Sequence, residues 1–219
     1  MKKQFYLLGF FFAITLCSQA QIKKGDVLLG GTLGFFTQKT TTDGSGADNK
    51  QSGVNLTPGI GRAIKDNLVA GFDLTYNGSS TIYTNYSSRN RAYGAGVFLR
   101  RYTYLGSGFA IFAQTRLGGQ YNTQKDQNAG VPVPGNDTKG YSITASFYPG
   151  IAYAITKRVQ LETGFANLVY AQYSHAKNTG IEDPATNTTY TNKTNGFSLQ
   201  TSLTSNYAFA VGIRVLLGS

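Results

Sequence analysis

The sequence predicts an all-β fold: an eight-stranded antiparallel up-and-down transmembrane β-barrel with short turns at one end and long loops at the other. Three observations predict it. One long stretch alternates between apolar and small or polar residues, seven further stretches do the same, and the connections alternate between long and short. The chain is 41% hydrophobic, with a mean hydropathy of -0.21. These moderate values fit a barrel, because the apolar and polar faces of its strands average out.

The clearest predicted strand is Tyr141–Ile155. Its odd positions are mostly large and apolar, whereas its even positions are mostly small or polar. This alternation is the signature of a strand with two unlike faces. Its fifteen residues exceed the usual length of about 5–6 residues for strands in globular proteins. A strand with lipid on one face and a barrel interior on the other has this length and pattern.

Eight strands and seven connections are predicted in chain order. The strands are Val27–Lys39, Gly53–Ile64, Leu68–Asn77, a strand around Tyr93–Arg100, Phe109–Tyr121, Tyr141–Ile155, Val159–Tyr173 and Phe197–Leu217. The long loops are Thr40–Ser52, Gly78–Asn90, Asn122–Lys139 and Ser174–Asn195. The short turns are Lys65–Asn67, a turn near Gly106–Ser107, and Thr156–Arg158. Outer-membrane barrels have this asymmetry, with short periplasmic turns and longer extracellular loops.

Residues 1–20 are predicted to be a cleaved secretory signal peptide. The basic start, the apolar stretch and the small residues before the cleavage site are Lys2, Lys3, Phe5–Leu16 and Ser18–Ala20. The apolar stretch is far shorter than the about 20 residues of a spanning helix. Lipidation of Cys17 is not favoured, because Leu16 stands where a lipoprotein signal has a small residue. We therefore expect secretion through the inner membrane, and residues 21–219 as a single barrel domain without cysteine.

The charge of the chain bears on its partners. The formal net charge is +10, or +8 without Lys2 and Lys3. The cations are scattered along the sequence instead of clustered, so we expect no nucleic-acid partner. We expect them to attract outer-membrane lipids and lipopolysaccharide, which carry anionic headgroups. With one histidine and no cysteine in the mature chain, no metal site and no cofactor are predicted.

His175 is the only histidine and follows Ser174, and a serine beside a histidine is a candidate nucleophile–base pair. Adjacent strand residues point to opposite faces, and this arrangement keeps the two side chains apart. The sequence therefore predicts that the protein is not an enzyme. A lipid-directed outer-membrane enzyme remains a less favoured alternative.

Five charged residues fall on the inward faces of predicted strands. They are Asp73, Arg100, Arg116, Glu162 and Arg214. Buried charges are costly unless they are paired, so we expect Glu162 to meet Arg214 and Asp73 to meet Arg100. An eight-stranded barrel is just wide enough to be filled by side chains. An interior ion-pair plug is the favoured interpretation, and a gate or ion path is the alternative.

Two hairpins carry a family resemblance. PGIGRAIKDNL (Pro58–Leu68) and PGIAYAITKRV (Pro149–Val159) each run through a three-residue turn into an alternating strand. This pattern resembles the small outer-membrane β-barrel domains of Gram-negative bacteria, the OmpA/OmpX-like barrels. The resemblance implies insertion by the barrel assembly machinery and names no ligand. Such barrels commonly end in an aromatic residue, whereas here Leu217 stands near the end of the chain.

Taken together, these observations predict a cell outer-membrane protein. We expect a monomer with a structural or surface-interaction role, acting on an unknown extracellular ligand through its four polar loops. A narrow channel for ions or small solutes is the alternative function. A soluble barrel of the lipocalin type is a further alternative, and it would place the apolar faces inside.

Overall fold

A computed structural model describes most of the predicted barrel domain. The described residues are 22–41, 48–83, 86–128, 131–132, 137–165, 168–183, 188–201 and 209–218. The predicted signal peptide and its cleavage site lie outside them. In these ranges, no helix is long and apolar enough to cross a membrane.

The strands run the length of the described chain. They are β1 (Val27–Thr41), β2 (Asp48–Lys65), β3 (Leu68–Tyr83), β4 (Tyr86–Gly106), β5 (Phe109–Asn128), β6 (Val131–Pro132), β7 (Asp137–Ala154), β8 (Val159–Phe165), β9 (Val169–Asp183), β10 (Thr188–Thr201) and β11 (Phe209–Leu217). All pairings among them are antiparallel.

The sheet closes into a ring of eight strands. Strands β1 to β5 pair in sequence, and β5 pairs with β7. Strands β8 and β9 both pair with β7, so together they form the seventh barrel strand. Strand β10 pairs with β9 and strand β11 pairs with β8, and together they form the eighth barrel strand. The ring closes where Val27–Thr32 of β1 pairs with Gly212–Leu217 of β11. The predicted eight-stranded barrel is therefore confirmed.

The sequence predicted one strand, Val159–Tyr173, where the seventh barrel strand has two segments, β8 and β9, in different registers against β7. On β7, Phe147 and Gly150 are three residues apart, but their partners Val169 and Gly164 are five residues apart. The seventh strand therefore has two more residues than β7 over this interval, and its register against β7 shifts by two residues, as at a β-bulge. Alternation of side chains along one strand does not reveal such an insertion. The insertion is defined only by comparison with the residues of the neighbouring strand.

The four long connections also differ from the prediction. They were expected to be irregular loops, but the strands continue into them as ladders, so that β3 reaches Tyr83 and β4 begins at Tyr86. The segments are polar on both faces, and this composition hides the two-residue alternation. Their many threonine and tyrosine residues still favour extended backbone. The long side of the barrel therefore consists of extended hairpins.

The short turns are where the sequence placed them. Asn67 takes a positive φ of 61° in the turn between β2 and β3, a conformation that asparagine tolerates. Gly106, Ser107 and Gly108 all take positive φ between β4 and β5. In the third turn, the Thr156 hydroxyl accepts hydrogen bonds from the backbone N–H groups of Arg158 and Val159 at 3.1 and 3.0 Å. These turns fix the register of the hairpins that they join.

Large apolar side chains form a band on the outer face of the barrel. Representative members, each between 41% and 59% exposed, are Phe72, Val97, Leu117, Ile143, Leu161 and Ile213. Soluble monomers rarely expose contiguous apolar patches larger than a few hundred Å², so this band is a lipid-facing surface. The apolar faces point outward, contrary to the lipocalin-type alternative.

Aromatic residues lie near both edges of this band, as expected for interfacial girdles. At the hairpin edge, the rings of Tyr76 and Tyr93 are 5.2 Å apart. At the turn edge, the rings of Phe109 and Tyr153 are 4.6 Å apart. The distance between the two aromatic levels marks the membrane-spanning part of each strand.

A charge on the lipid-facing band should destabilise the barrel according to its depth. Leu117 lies within the band on β5, four residues from Tyr121 and eight from Phe109, so Leu117→Arg should cost about 2–4 kcal/mol of unfolding free energy. Ile151 lies only two residues from Tyr153, so Ile151→Arg should cost less. Urea titrations of protein folded in lipid vesicles measure both values, with Leu117→Met as the control. Equal unfolding midpoints for Leu117→Arg and Leu117→Met would contradict the assignment of the outer face.

Candidate functional site

The turn end of the barrel interior is filled by apolar side chains. The largest members at this end, all at most 5% exposed, are Ile22, Leu28, Val69, Tyr102, Phe112 and Leu216. The chain before β1 is held beneath the barrel, because Asn67 N–H donates to the carbonyl of Ile22 at 2.9 Å. The Lys24 N–H also donates to the Asp66 carboxylate at 2.8 Å. These contacts make Ile22 part of the barrel floor.

Above this floor, Glu162 is held between two arginines. Its carboxylate forms an ion pair with Nη1 of Arg100, and its Oε1 lies 3.0 Å from Nη2 of Arg214. Nε of Arg214 donates to the same oxygen at 3.1 Å. The side chains of Arg100 and Glu162 are both fully buried. We call these three residues the central triad.

The remaining donors of Arg100 also have partners. Its Nε donates to the side-chain carbonyl of Gln114 at 2.7 Å, and its Nη1 donates to the hydroxyl of Tyr102 at 3.1 Å. The guanidinium carbon lies 4.3 Å from the ring centroid of Phe112. The triad carries two positive charges and one negative charge, and the aromatic face offsets part of the excess. The positive charge of the buried Arg100 guanidinium is therefore balanced by hydrogen-bond acceptors, the Glu162 carboxylate and an aromatic face.

A second ion pair lies one layer nearer to the hairpins. Arg116 donates from Nε and Nη2 to the carboxylate of Asp73 at distances of 2.6 to 3.0 Å, and also to the Thr75 hydroxyl at 3.2 Å. Its guanidinium lies over Gly96 and Gly118, where an added Cβ would come within 2.6 and 2.3 Å of the Arg116 side chain. The absence of side chains at these glycines makes room for Arg116.

One predicted interior pair is present and the other is wrong. Glu162 and Arg214 are in contact as expected. Asp73 pairs with Arg116, not with Arg100. The reason is register: Asp73 lies opposite Gly96 on β4, which is four residues, or about 13 Å, from Arg100. Arg100 instead reaches across the interior to Glu162.

The partners that surround the triad are not among the residues predicted from the sequence. Tyr102 and Phe112 were not singled out, although both follow the inward alternation of β4 and β5. Gly96 and Gly118 carried the usable signal, because paired glycines on neighbouring strands mark space for a large side chain. Without the register of β4 against β5, this signal could not be tied to Arg116.

His175 belongs to the outer face and Ser174 to the inner face, as the alternation predicted. The Nδ1 atom of His175 lies 2.7 Å from the side-chain oxygen of Asn195, and its ring lies 5.2 Å from that of Tyr141. Among the described side chains, no group of three histidine, cysteine, aspartate or glutamate residues could hold a metal ion. The non-catalytic assignment stays a prediction.

The ring of strands, the outer apolar band and the filled interior define a small transmembrane β-barrel. The resemblance inferred from the two hairpins, to eight-stranded outer-membrane barrels, agrees with this architecture at the level of the fold.

Comparisons with known proteins give distant likenesses. No protein-family model matches the sequence, and no curated protein matches it. The crystal structure of Neisserial surface protein A (NspA) is similar, with 16% sequence identity and a TM-score of 0.42 over 88% of this chain and 97% of that one. The translocator domain of autotransporter NalP from Neisseria meningitidis has 11% identity and a TM-score of 0.34 over 98% and 93%. The assignment as a small transmembrane β-barrel therefore rests on the ring of eight strands and the exposed apolar band.

The central triad predicts unequal effects of mutation. Glu162→Gln leaves two arginines without their shared carboxylate and should cost about 3–5 kcal/mol. Arg214→Met should cost less, about 1–3 kcal/mol, because Glu162 keeps Arg100. The double variant should lose less than the sum of the single losses. Urea unfolding of the four proteins measures this coupling, and additive losses would show that the two residues are not in contact.

The space over Gly118 gives a second test. Gly118→Ala should push Arg116 off Asp73 and cost about 1–3 kcal/mol, as overpacking does. Gly119→Ala is the matched control, because an added Cβ there meets no atom closer than 3.9 Å, and we expect a change within about 0.5 kcal/mol. Urea midpoints of the two variants give the comparison. Equal midpoints would mean that Arg116 does not occupy this space.

Proposed function

We propose that the chain is a non-conducting barrel of the Gram-negative outer membrane that displays four extended hairpins at the cell surface. The observation that carries the proposal is the filled interior. The apolar floor and the central triad occupy the lumen at consecutive levels, and Asp73 with Arg116 occupies the next level. A lumen occupied in this way favours the structural or surface-interaction role over the channel.

Three features support the placement in the outer membrane. The lipid-facing band requires a bilayer, and the sequence begins with a predicted secretory signal peptide. The polar hairpins all lie at one end of the barrel, as expected for the extracellular side. The hairpins are also the largest water-facing part of the protein, so we place its interactions with a partner there. In this proposal the protein is non-catalytic, monomeric and inserted by the barrel assembly machinery.

Conductance separates this function from the channel alternative. Protein refolded into planar bilayers should give no discrete current steps above the lipid background. The same sample should migrate differently on a gel before and after boiling, because a closed barrel with paired backbone groups resists detergent. Discrete openings in protein that passes this folding check would overturn the proposal in favour of the channel.

Single-cysteine labelling tests the orientation. The predicted mature chain has no cysteine, so Lys125→Cys in a hairpin and Lys157→Cys in a short turn give matched reporters. A maleimide attached to a polymer too large for porins should label Lys125→Cys on intact cells. It should label Lys157→Cys only after the outer membrane has been permeabilised. Labelling of Lys157→Cys on intact cells would reverse the orientation.

A further inference from the structure

Four cations line up in one row across neighbouring strands at the hairpin edge of the barrel. The pairings are Arg91 with Thr123, Thr123 with Lys139, Lys139 with Lys177, and Lys177 with Lys193. All four cationic side chains are exposed. The row crosses five strands, which at about 4.8 Å per strand is about 19 Å wide. We call it the cation row.

The cation row lies on the outer face, at the level of the membrane surface. Three of its positions are two residues closer to the hairpin tips than Tyr93, Tyr121 and Tyr141, on the same faces of the strands. These positions are Arg91, Thr123 and Lys139. These tyrosines are themselves paired across β4, β5 and β7 and are about half exposed. A girdle of aromatic residues marks the depth of lipid headgroups. The cations therefore stand where the headgroups begin.

Within the part of the chain that the structure describes, no acidic side chain compensates the charge of the cation row. Like charges directly opposite each other on paired strands are destabilising, and Lys139, Lys177 and Lys193 are such neighbours. Among the described side chains, no carboxylate lies within ion-pair distance of the row, including that of Asp137 on the same face. An anion from outside the chain would relieve this repulsion.

At one other like-charge pair of the hairpin end, the protein supplies a counter-charge. Lys39 and Lys50 also lie opposite each other, but Lys39 forms an ion pair with Asp48 at 2.6 Å. The hydrogen bond from Lys39 lowers the pKa of the Asp48 carboxyl, so this acid stays charged. The cation row differs from this pair, because it carries four cations across five strands and has no described carboxylate within ion-pair distance.

An apolar groove lies on the same strands, nearer to the membrane centre. It has a volume of about 580 Å³. Among the residues that line it are Val97, Leu117, Ala145, Ala171 and Leu199. Ala145 is six residues along β7 from Lys139, a distance of about 20 Å. The small side chains of Ala145 and Ala171 form a recess that a lipid acyl chain can occupy.

We propose that the cation row and the groove together bind one lipid of the lipid A type, with phosphates on the row and an acyl chain in the groove. Lysine ammonium groups are suitable point charges for phosphate. A row about 19 Å wide suits a headgroup with two phosphates on a disaccharide better than the single phosphate of a glycerophospholipid. The inference rests on the proposed outer-membrane placement and deepens it, because it names the lipid and the residues that hold it.

Removing the lysines of the row tests the headgroup contact. The variant Lys139→Ser, Lys177→Ser, Lys193→Ser is compared with Lys23→Ser, Lys65→Ser, Lys157→Ser, which loses the same charge at the turn end. Native mass spectrometry of protein refolded in micelles with bisphosphorylated lipid A measures retained lipid. A membrane-surface cation contributes about fivefold to binding, so the row variant should bind about a hundredfold more weakly, and the control variant like wild type.

The lipid itself is varied in the second arm. Lipid A stripped of its phosphates should bind to wild type as weakly as intact lipid A binds to the row variant. Equal retention of the two lipids by wild type, or equal retention of intact lipid A by row and control variants, would overturn the proposal. Equal binding of phosphatidylglycerol and lipid A would overturn the assignment to lipid A.

Filling the groove tests the acyl-chain contact. Ala145→Trp should lower retention of lipid A, whereas Ala113→Trp, on the outer face of β5 outside the groove lining, should not. Equal retention by these two variants would remove the groove from the site. Each variant is first checked for heat-modifiable migration. A folded, surface-oriented barrel that retains no lipid A would refute this site and leave the proposed function standing.

Discussion

Pairing of backbone groups is the constraint on which the rest of this structure depends. In hydrocarbon an unpaired N–H or carbonyl costs several kcal/mol, so a sheet can span a membrane only if its edges meet. Here the edges meet where Val27–Thr32 of β1 pairs with Gly212–Leu217 of β11. This closure sets the strand number at eight, and the strand number sets the width of the lumen. The contents of the interior follow from that width.

A lumen of this width leaves room for side chains but little else, and the chain fills it in layers. Glycines on one strand face large side chains from another, as Gly96 and Gly118 do with Arg116. The central triad then joins strands on opposite sides of the barrel, since Arg100 on β4 meets Glu162 on β8. A register slip of one residue would turn these charges towards lipid. The buried ion pairs thus specify the register as well as filling the interior.

The outward-facing residues of the same strands must be compatible with the membrane, whereas the inward-facing residues must fill the lumen. Every second residue must suit lipid in the middle of the strand and headgroups near its ends. The tyrosines at the hairpin edge meet this requirement, and the cation row stands directly beyond them. The interior makes the barrel a plugged scaffold, whereas the outer face and the hairpins provide its contacts with the surroundings. The inferred lipid site combines two levels of that outer face.

The sequence by itself determined the number of barrel strands, their two faces, the short turns and the inward position of all five interior charges. These features follow from a two-residue period and local turn chemistry, which can be read within one strand. Only the tertiary structure decided that Arg100 meets Glu162 and that Asp73 meets Arg116. It also decided that the polar connections continue as paired hairpins and that Lys139, Lys177 and Lys193 share one row. Such features depend on the register between strands, and register is a property of pairs of strands that no single stretch of sequence contains.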